Sequence, residues 1–361
     1  MGGNFECSSG LTLFSYTADI IPIVLAVFFK EVKYLITFRI TFLIKTTIFK
    51  VKKNAHIPQK FTSLTQAMKA FGMPAPQHPL IALINGIDHR LNYDPPKYAH
   101  MLTFYKVSFR PNLGGTVKYG QTYFDFQDGG MLFAAPNQII GHDQSVDTAE
   151  KQCVSRQITL LIHPDFFLNY PLATNVKRYG YFSYDTSEAL HLSDKEKGII
   201  LSLLRIIEDE LSHCIDEFSQ DVIISQIELL LNYANRFYKR QFITRKVVNN
   251  TLLEKMEQIL NDYFNDKKTI HKGIPSVNYL AENLSISPGY LSDMLRTLTG
   301  QSAQQHIHQK LIENAKEKLS TTNLSIGEIA FELGFEHSQS FSKLFKKKTN
   351  QSPMEFRARF N

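Results

Sequence analysis

The chain has 361 residues, 43% of them apolar, which is enough for two or three domains with real cores. Its three cysteines, Cys7, Cys153 and Cys214, are widely spaced and odd in number. They form no CxxC pair and exclude a disulfide framework, in keeping with a reducing cytoplasm. The net charge of +6 is unevenly placed: residues 1–60 hold 8 Lys/Arg against 3 Asp/Glu, residues 61–250 hold 18 against 19, and residues 251–361 hold 14 against 12.

Residues 1–57 are an atypical apolar and basic leader. Ile20–Phe29 is a nearly continuous apolar run, and after Glu31 no acidic residue appears until Asp88. A membrane-spanning helix needs about 20 apolar residues, and extending this run back to Leu11 takes in Asp19, which is costly in hydrocarbon. The first positive side chain, Lys30, follows the run instead of preceding it, unlike a secretory signal. Two readings stand here, a membrane anchor or a start assigned too far upstream; Val51-Lys52-Lys53-Asn54 makes an ordinary beginning, and the second reading fits better. No membrane association and a cytoplasmic location are therefore expected.

Residues 58–238 read as a folded α+β region. Ser63–Phe71 is a short helix ended by Gly72. Tyr105, Val107 and Phe109 alternate with Lys106, Ser108 and Arg110, the period of a half-buried strand. Pro111–Gly115 and Asp128-Gly129-Gly130 are turns, and Phe124–Phe126, Met131–Ala135 and Gln157–Ile162 are further strands. Short strands with Gly-rich turns argue for an antiparallel barrel or sandwich. Tyr93, Phe104, Tyr119, Tyr123 and Phe133 are the aromatic residues from which an effector pocket is expected, against the plainer alternative that they are core.

Two helices follow, Asp194–Cys214 and Ser219–Tyr238. In the second, Ile223, Ile227, Leu230, Ala234 and Phe237 recur every three or four residues, with Leu229 and Tyr233 widening the stripe. The stripe packs on the barrel or pairs with its twin. Lys239–Asn250 is polar and basic and reads as a linker between domains at 58–238 and 251–361.

The last third of the chain contains one helix-turn-helix written twice. Leu280–Leu284, a turn, and Tyr290–Leu295 recur as Ile329–Leu333, a turn through Gly334, and Ser340–Phe345. Ala281 matches Ala330, Leu284 matches Leu333 and Ile286 matches Phe335; after one inserted residue Leu291 pairs with Phe341 and Leu295 with Phe345. Such a repeat is two copies of one supersecondary unit. Ser276 is placed to cap the first helix, and Pro288 to open the next, where a missing N–H costs nothing. In the first copy Leu291, Met294, Leu295 and Leu298 are expected inward, and Gly289, Tyr290, Ser292, Asp293 and Arg296 outward. In the second, Phe341, Leu344 and Phe345 are expected inward, and Ser338, Gln339, Ser342, Lys343, Lys346 and Lys347 outward. Between the copies Ala303–Leu319 reads as one helix, a rod of roughly 25 Å that can hold two recognition helices on one face of a duplex. The positive charge of this region is local, in Lys343–Lys348, Arg357 and Arg359.

This region, about Leu252–Arg357, resembles the C-terminal domain of the AraC/XylS family of bacterial transcription regulators. The most specific stretch is Ser325–Ala330, Gly334-Phe335, Ser340–Lys346, Thr349 and Ser352-Pro353. Asp293 stands where many members carry a polar or basic residue. The resemblance implies that the outward residues of both copies contact double-stranded DNA, that the N-terminal domain is cupin-like and holds a small-molecule effector, that helices in it form a homodimer, and that RNA polymerase is contacted. No cofactor or metal is expected, since residues 80–162 lack the HxH of metal-dependent cupins, and His89, His100, His142 and His163 read as surface or hydrogen-bonded side chains. His306 and His308 form an HxH on a helix, where i and i+2 point apart. No catalytic set is recognisable; the rival class is a metal-independent cupin-type enzyme or binding protein with a helical C-terminal module, and the missing metal ligands argue against a cupin enzyme.

Overall fold

A computed structural model of the protein describes residues 58–360 apart from 90–99, 112–115, 120–121, 126–128, 141–156, 186–187, 214–215 and 217. The leader, Tyr93, His142, Cys153 and Cys214 lie outside the described residues, as do the side chains of Tyr119 and Tyr123. Among the described residues no helix is long and apolar enough to cross a membrane.

The first half is β-rich, as the alternating pattern requires. The strands are β1 (Gln59–Phe61), β2 (Ile81–Asn85), β3 (His100–Leu102), β4 (Tyr105–Arg110), β5 (Thr116–Tyr119), β6 (Thr122–Asp125), β7 (Gly130–Ala134), β8 (Ile139–Ile140), β9 (Ile158–Ile162) and β10 (Leu190–His191); helix α1 (Leu64–Ala70) follows β1, and short helical turns at Pro164–Phe167, Leu172–Asn175, Val176–Arg178 and Gly180–Ser183 lie between β9 and β10. Ser63 caps α1 by accepting from the Gln66 amide at 3.2 Å. The main sheet is antiparallel, in the order β10-β7-β4-β9-β2. A smaller sheet runs β1-β3-β8, with β1 parallel to β3, and β5 pairs with β6.

Both faces of the main sheet are covered. Val107 sits in register between Phe133 and Leu160, and this face packs on the helices that follow. Ala82 and Leu161 lie on the other face and pack with Phe61, Leu64, Leu102 and Phe104. Phe104 and Phe133 therefore belong to separate cores on opposite sides of the sheet. They do not line one effector pocket, which corrects the expectation from sequence: large aromatics at alternating positions were recruited as core on whichever face their register gave them.

Helices α2 (Asp194–Ser212) and α3 (Ser219–Thr244) pack against the sheet. The Ile223, Ile227, Leu230, Ala234 and Phe237 stripe is buried within the chain, Ile227 to 0% exposure, so it is core and not a dimer face. The opposite side of α3 leaves Val222 37% and Leu229 43% exposed. The expected linker is also corrected. Residues 239–244 continue α3, and after a single break at Arg245 the chain enters α4 (Lys246–Asn265). Asn249 Nδ2 donates to the Phe242 carbonyl at 2.6 Å across this joint. A polar stretch without Gly or Pro keeps helical φ/ψ when buried neighbours such as Phe242 anchor one side.

The remaining helices are α5 (Lys268–Lys272), α6 (Val277–Leu284), α7 (Pro288–Thr299), α8 (Ala303–Thr321), α9 (Ile326–Glu332), α10 (Ser338–Thr349) and α11 (Pro353–Arg357). The core of the sheet domain runs on through α3 into Leu280, Leu284, Leu291 and Leu295 of the first helix-turn-helix and Ile307 of α8. The second has a separate core of Leu311, Ala315, Ile329, Ala330, Phe341 and Phe345.

Candidate nucleic-acid interface

The second copy is built as its sequence suggests. Ser325 and Glu328 form a reciprocal capping box at the start of α9: the Glu328 amide donates to Ser325 Oγ at 3.2 Å, and the Ser325 amide to Glu328 Oε2 at 2.7 Å. The turn to α10 passes through Gly334 at φ +90°, and a Cβ there would stand 2.7 Å from the Gly273 carbonyl carbon. Both the backbone angle and the close approach demand glycine. Phe341 and Phe345 are fully buried, their rings 5.7 Å apart, and Phe335 and Phe356 close the cluster from either side.

Burying that face fixes what the other presents. Ser338, Gln339, Lys343, Lys346 and Lys347 are exposed, and Ser342 is half-buried. Lys346–Lys348 occupy the last turn of α10, where cations complement the helix dipole. The result is a helix with a polar leading end and a basic flank, sized and charged for a major groove. Helix α8 links it rigidly to the first copy; its 19 residues span about 28 Å. His306 and His308 on α8 go to different neighbours, Thr299 and Gln304 respectively.

The first copy has the same internal frame. Ser276 caps α6, Pro288 opens α7 and Leu291, Met294 and Leu295 are buried. Its outer face differs. Tyr290, expected outward, is 1% exposed, its ring edge-on to Tyr184 at 5.3 Å and to Phe242 at 5.0 Å. Asp293 is half-buried: Oδ2 accepts from the Tyr184 hydroxyl at 2.8 Å and Oδ1 pairs with Arg296 Nη1 at 2.7 Å. Gly289 and Ser292 are half-buried, and Arg296 is exposed. Ser287, the N-cap of α7, gives both its amide (2.6 Å) and its hydroxyl to the carboxylate of Glu188. Glu188 is 1% exposed, and burial pushes its carboxyl up to about 7 despite the hydrogen bonds from Ser287 and the Asp185 amide that favour the charged form. Burial and the neighbouring Asp293 carboxylate likewise push the Tyr184 phenol up.

Structure thus assembles the α10 residues on one open face but places Gly289, Tyr290 and Asp293 of α7 against the sheet domain, with Arg296 left exposed. Tyr184 and Glu188, which hold α7, were not singled out from sequence. The signal available was the mismatch between copies: Asp293 occupies the position of Lys343, and Tyr290 that of Ser340.

Comparison with known proteins agrees with this architecture. A helix-turn-helix domain family matches residues 280–359. The chain is 32% identical over 84 residues to the regulatory protein SoxS of Salmonella typhimurium, covering 23% of this chain and 78% of that one. It is 32% identical over 145 residues to the Msm operon regulatory protein of Streptococcus mutans, covering 39% of this chain and 51% of that protein. The chain spans only part of the length of several curated relatives, 63% of an HTH-type regulator of Pseudoalteromonas carrageenovora and 40% of the arabinose operon regulatory protein of Salmonella typhimurium. Among solved structures, the C-terminal domain of a two-component response regulator from Fusobacterium nucleatum is 34% identical and covers 29% of this chain and 95% of its own, with a TM-score of 0.26.

Proposed function

The chain belongs to the AraC/XylS family of bacterial transcriptional regulators, and on that premise we propose that it binds duplex DNA sequence-specifically, with α10 as the principal reader. The exposed face of Ser338, Gln339, Ser342, Lys343, Lys346 and Lys347 carries this reading. Gln339 is suited to pair with the N6 and N7 edge of adenine, and Lys343 to donate to guanine O6 and N7. Lys346 and Lys347 meet phosphates, which position the helix without reading bases. Arg296 adds a contact from the first copy. The sheet domain is read as a cupin-like sensor of a small molecule, and the working form as a cytoplasmic homodimer that contacts RNA polymerase; family membership is the support for these parts.

The test is selection of bound fragments from randomised duplex DNA by the purified full chain, followed by binding to the enriched sequence across a salt series. An enriched motif, bound with a steep salt dependence, is the expected result. Recovery of unselected DNA, or binding insensitive to salt, overturns the proposal.

A further inference from the structure

The face of the main sheet turned toward Phe61, Leu102 and Phe104 carries charge where apolar side chains would pack. Strand β4 is the central one of five, and Lys106, Ser108 and Arg110 alternate onto this face. Lys106 is half-buried and stands in register between Leu161 on β9 and Ala134 on β7, which are 2% and 8% exposed. Ser108 is buried and shares a hydrogen bond of 3.1 Å with Thr159. Arg110, also half-buried, donates from Nε to Gln157 Oε1 at 2.9 Å. That bond orients the guanidinium and leaves Nη1 and Nη2 without a protein partner among the described residues.

Neither cation has an acidic partner among the described residues. Instead they oppose one another. Burial first, and then the like charge of Arg110, push the Lys106 ammonium down to about 8, so it still carries its proton at neutral pH. A lysine that only lends its methylenes to an apolar surface keeps its head in water and its ordinary affinity for the proton. Two cations brought onto a desolvated face with no anion of the chain to offset them destabilise the fold, and a bound anion reverses that.

The neighbours of the two charges select the anion. Backbone amides, the usual cradle of a phosphate, are engaged here by the ladders on both sides of β4. What lies beside the charges is hydrocarbon: Ala82, Leu161 and Ala134 in the row of Lys106, and Ile84 and Leu132 in the row of Ser108. Gly130, beside Arg110, adds no side chain and leaves that end open. The free end of a guanidinium matches the two oxygens of a carboxylate.

We propose that this face binds a small organic carboxylate, its anionic group held between Lys106 and Arg110 and its hydrocarbon part against Ala82, Leu161 and Ala134. The proposal rests on the reading of the sheet domain as a sensor and supplies the class of molecule sensed.

Thermal unfolding of the full chain with added hexanoate, benzoate, hexanamide or inorganic phosphate tests this, with titration calorimetry for the Kd. Hexanoate and benzoate are expected to raise the unfolding midpoint with concentration. Hexanamide lacks the charge and phosphate lacks the hydrocarbon, so neither should. Lys106→Met keeps the side-chain length without the charge; it should weaken carboxylate binding at least tenfold and, free of ligand, unfold no earlier than wild type. Arg110→Gln, at the open end, should weaken binding severalfold and carries the same test if Lys106→Met fails to fold. No stabilisation by either carboxylate, equal stabilisation by hexanamide or phosphate, or carboxylate binding unchanged in the folded variants overturns the site. Operator affinity with and without saturating carboxylate tests the sensor reading separately. Binding that leaves operator affinity unchanged upholds the site and contradicts the sensor reading.

Discussion

The hydroxyl of Tyr184 donates to Oδ2 of Asp293 across 2.8 Å, tying the sheet domain to the recognition helix of the first helix-turn-helix. The two ends of this bond are unequal. Asp293 keeps a second partner in Arg296 if Tyr184 is lost, whereas Tyr184 is buried and has its hydroxyl satisfied by Asp293. Tyr184→Phe should therefore cost about 1 kcal/mol of stability, and Asp293→Ala about 1–3 kcal/mol, because it strands a buried donor. Denaturant unfolding of the two variants and of their combination gives the coupling; equal single costs with no coupling would mean that the bond contributes nothing.

Glu188 makes the same junction sensitive to pH. Its folded value of about 7 lies above the ordinary 4.5, so the native chain keeps a proton that the unfolded chain has released. Its contribution to stability is fully present below about pH 4.5 and is lost as pH rises through about 7. The groups facing it are Asp185, whose charge raises the value further, the Ser287 amide and hydroxyl, and the Tyr238 hydroxyl, which donates to the Glu188 carbonyl at 3.2 Å. Wild-type protein should accordingly lose stability between pH 5 and pH 8 relative to Glu188→Gln, which cannot titrate. Parallel pH profiles for the two proteins would show that Glu188 is not perturbed in the native state.

Glycines at the two helix-turn-helix units separate conformational strain from crowding. Gly300 has φ +75° with open space around its missing Cβ. Gly334 has φ +90° and would press a Cβ to 2.7 Å from backbone. Gly300→Ala should cost about 1 kcal/mol, the expense of a left-handed alanine. Gly334→Ala should cost at least about 2–3 kcal/mol, since the Gly273–Ile274 backbone cannot rotate aside. Thermal unfolding of the pair checks the order, and a milder effect at Gly334 would contradict the packing of α9 on Gly273.

Local pattern was enough for part of the fold. The 3.6 period and the cap at Ser276 placed α6 to within a residue or two, the period of two placed β4, and an apolar run after a Gly-rich turn placed β7. What pattern could not say is which neighbour covers an apolar or polar face. The α3 stripe at Ile227 meets its own sheet domain and not a twin. Lys239–Asn250 has linker composition, yet helical continuity through Phe242 overrides it. Tyr290 has the spacing of an outward residue, and only the arrival of Tyr184 and Phe242 from segments about 50–110 residues earlier buries it. The α10 face was legible because nothing distant was needed to define it: burying Phe341 and Phe345 leaves Gln339 and Lys343 outside.

The two sides of α3 respond oppositely to charge. Ile227 is completely buried against the sheet, so Ile227→Asp removes roughly 1.5–3 kcal/mol of apolar burial and adds an unpaired buried carboxylate. It should unfold the domain, seen as loss of a cooperative thermal transition. Leu229 is 43% exposed, and Leu229→Asp should fold normally. A folded, cooperative Ile227→Asp protein would place that residue at an interface after all.

The second recognition helix offers the sharpest functional contrast, because two residues one side-chain apart in role lie on one exposed face. On the proposed reading Gln339, at the leading end of α10, meets a base edge, and Lys347, eight residues later, a phosphate. Gln339→Ala should weaken binding to the selected operator by about 1–3 kcal/mol and relax preference at one base pair. On scrambled DNA it should change little. Lys347→Ala should weaken operator and scrambled DNA alike and reduce the slope of log affinity against log salt by about one unit. Titration of both variants on both DNAs from low to physiological salt separates the effects. If Gln339→Ala and Lys343→Ala both leave operator preference intact, α10 does not read bases, and specificity must come from the first copy or from the shape of the DNA.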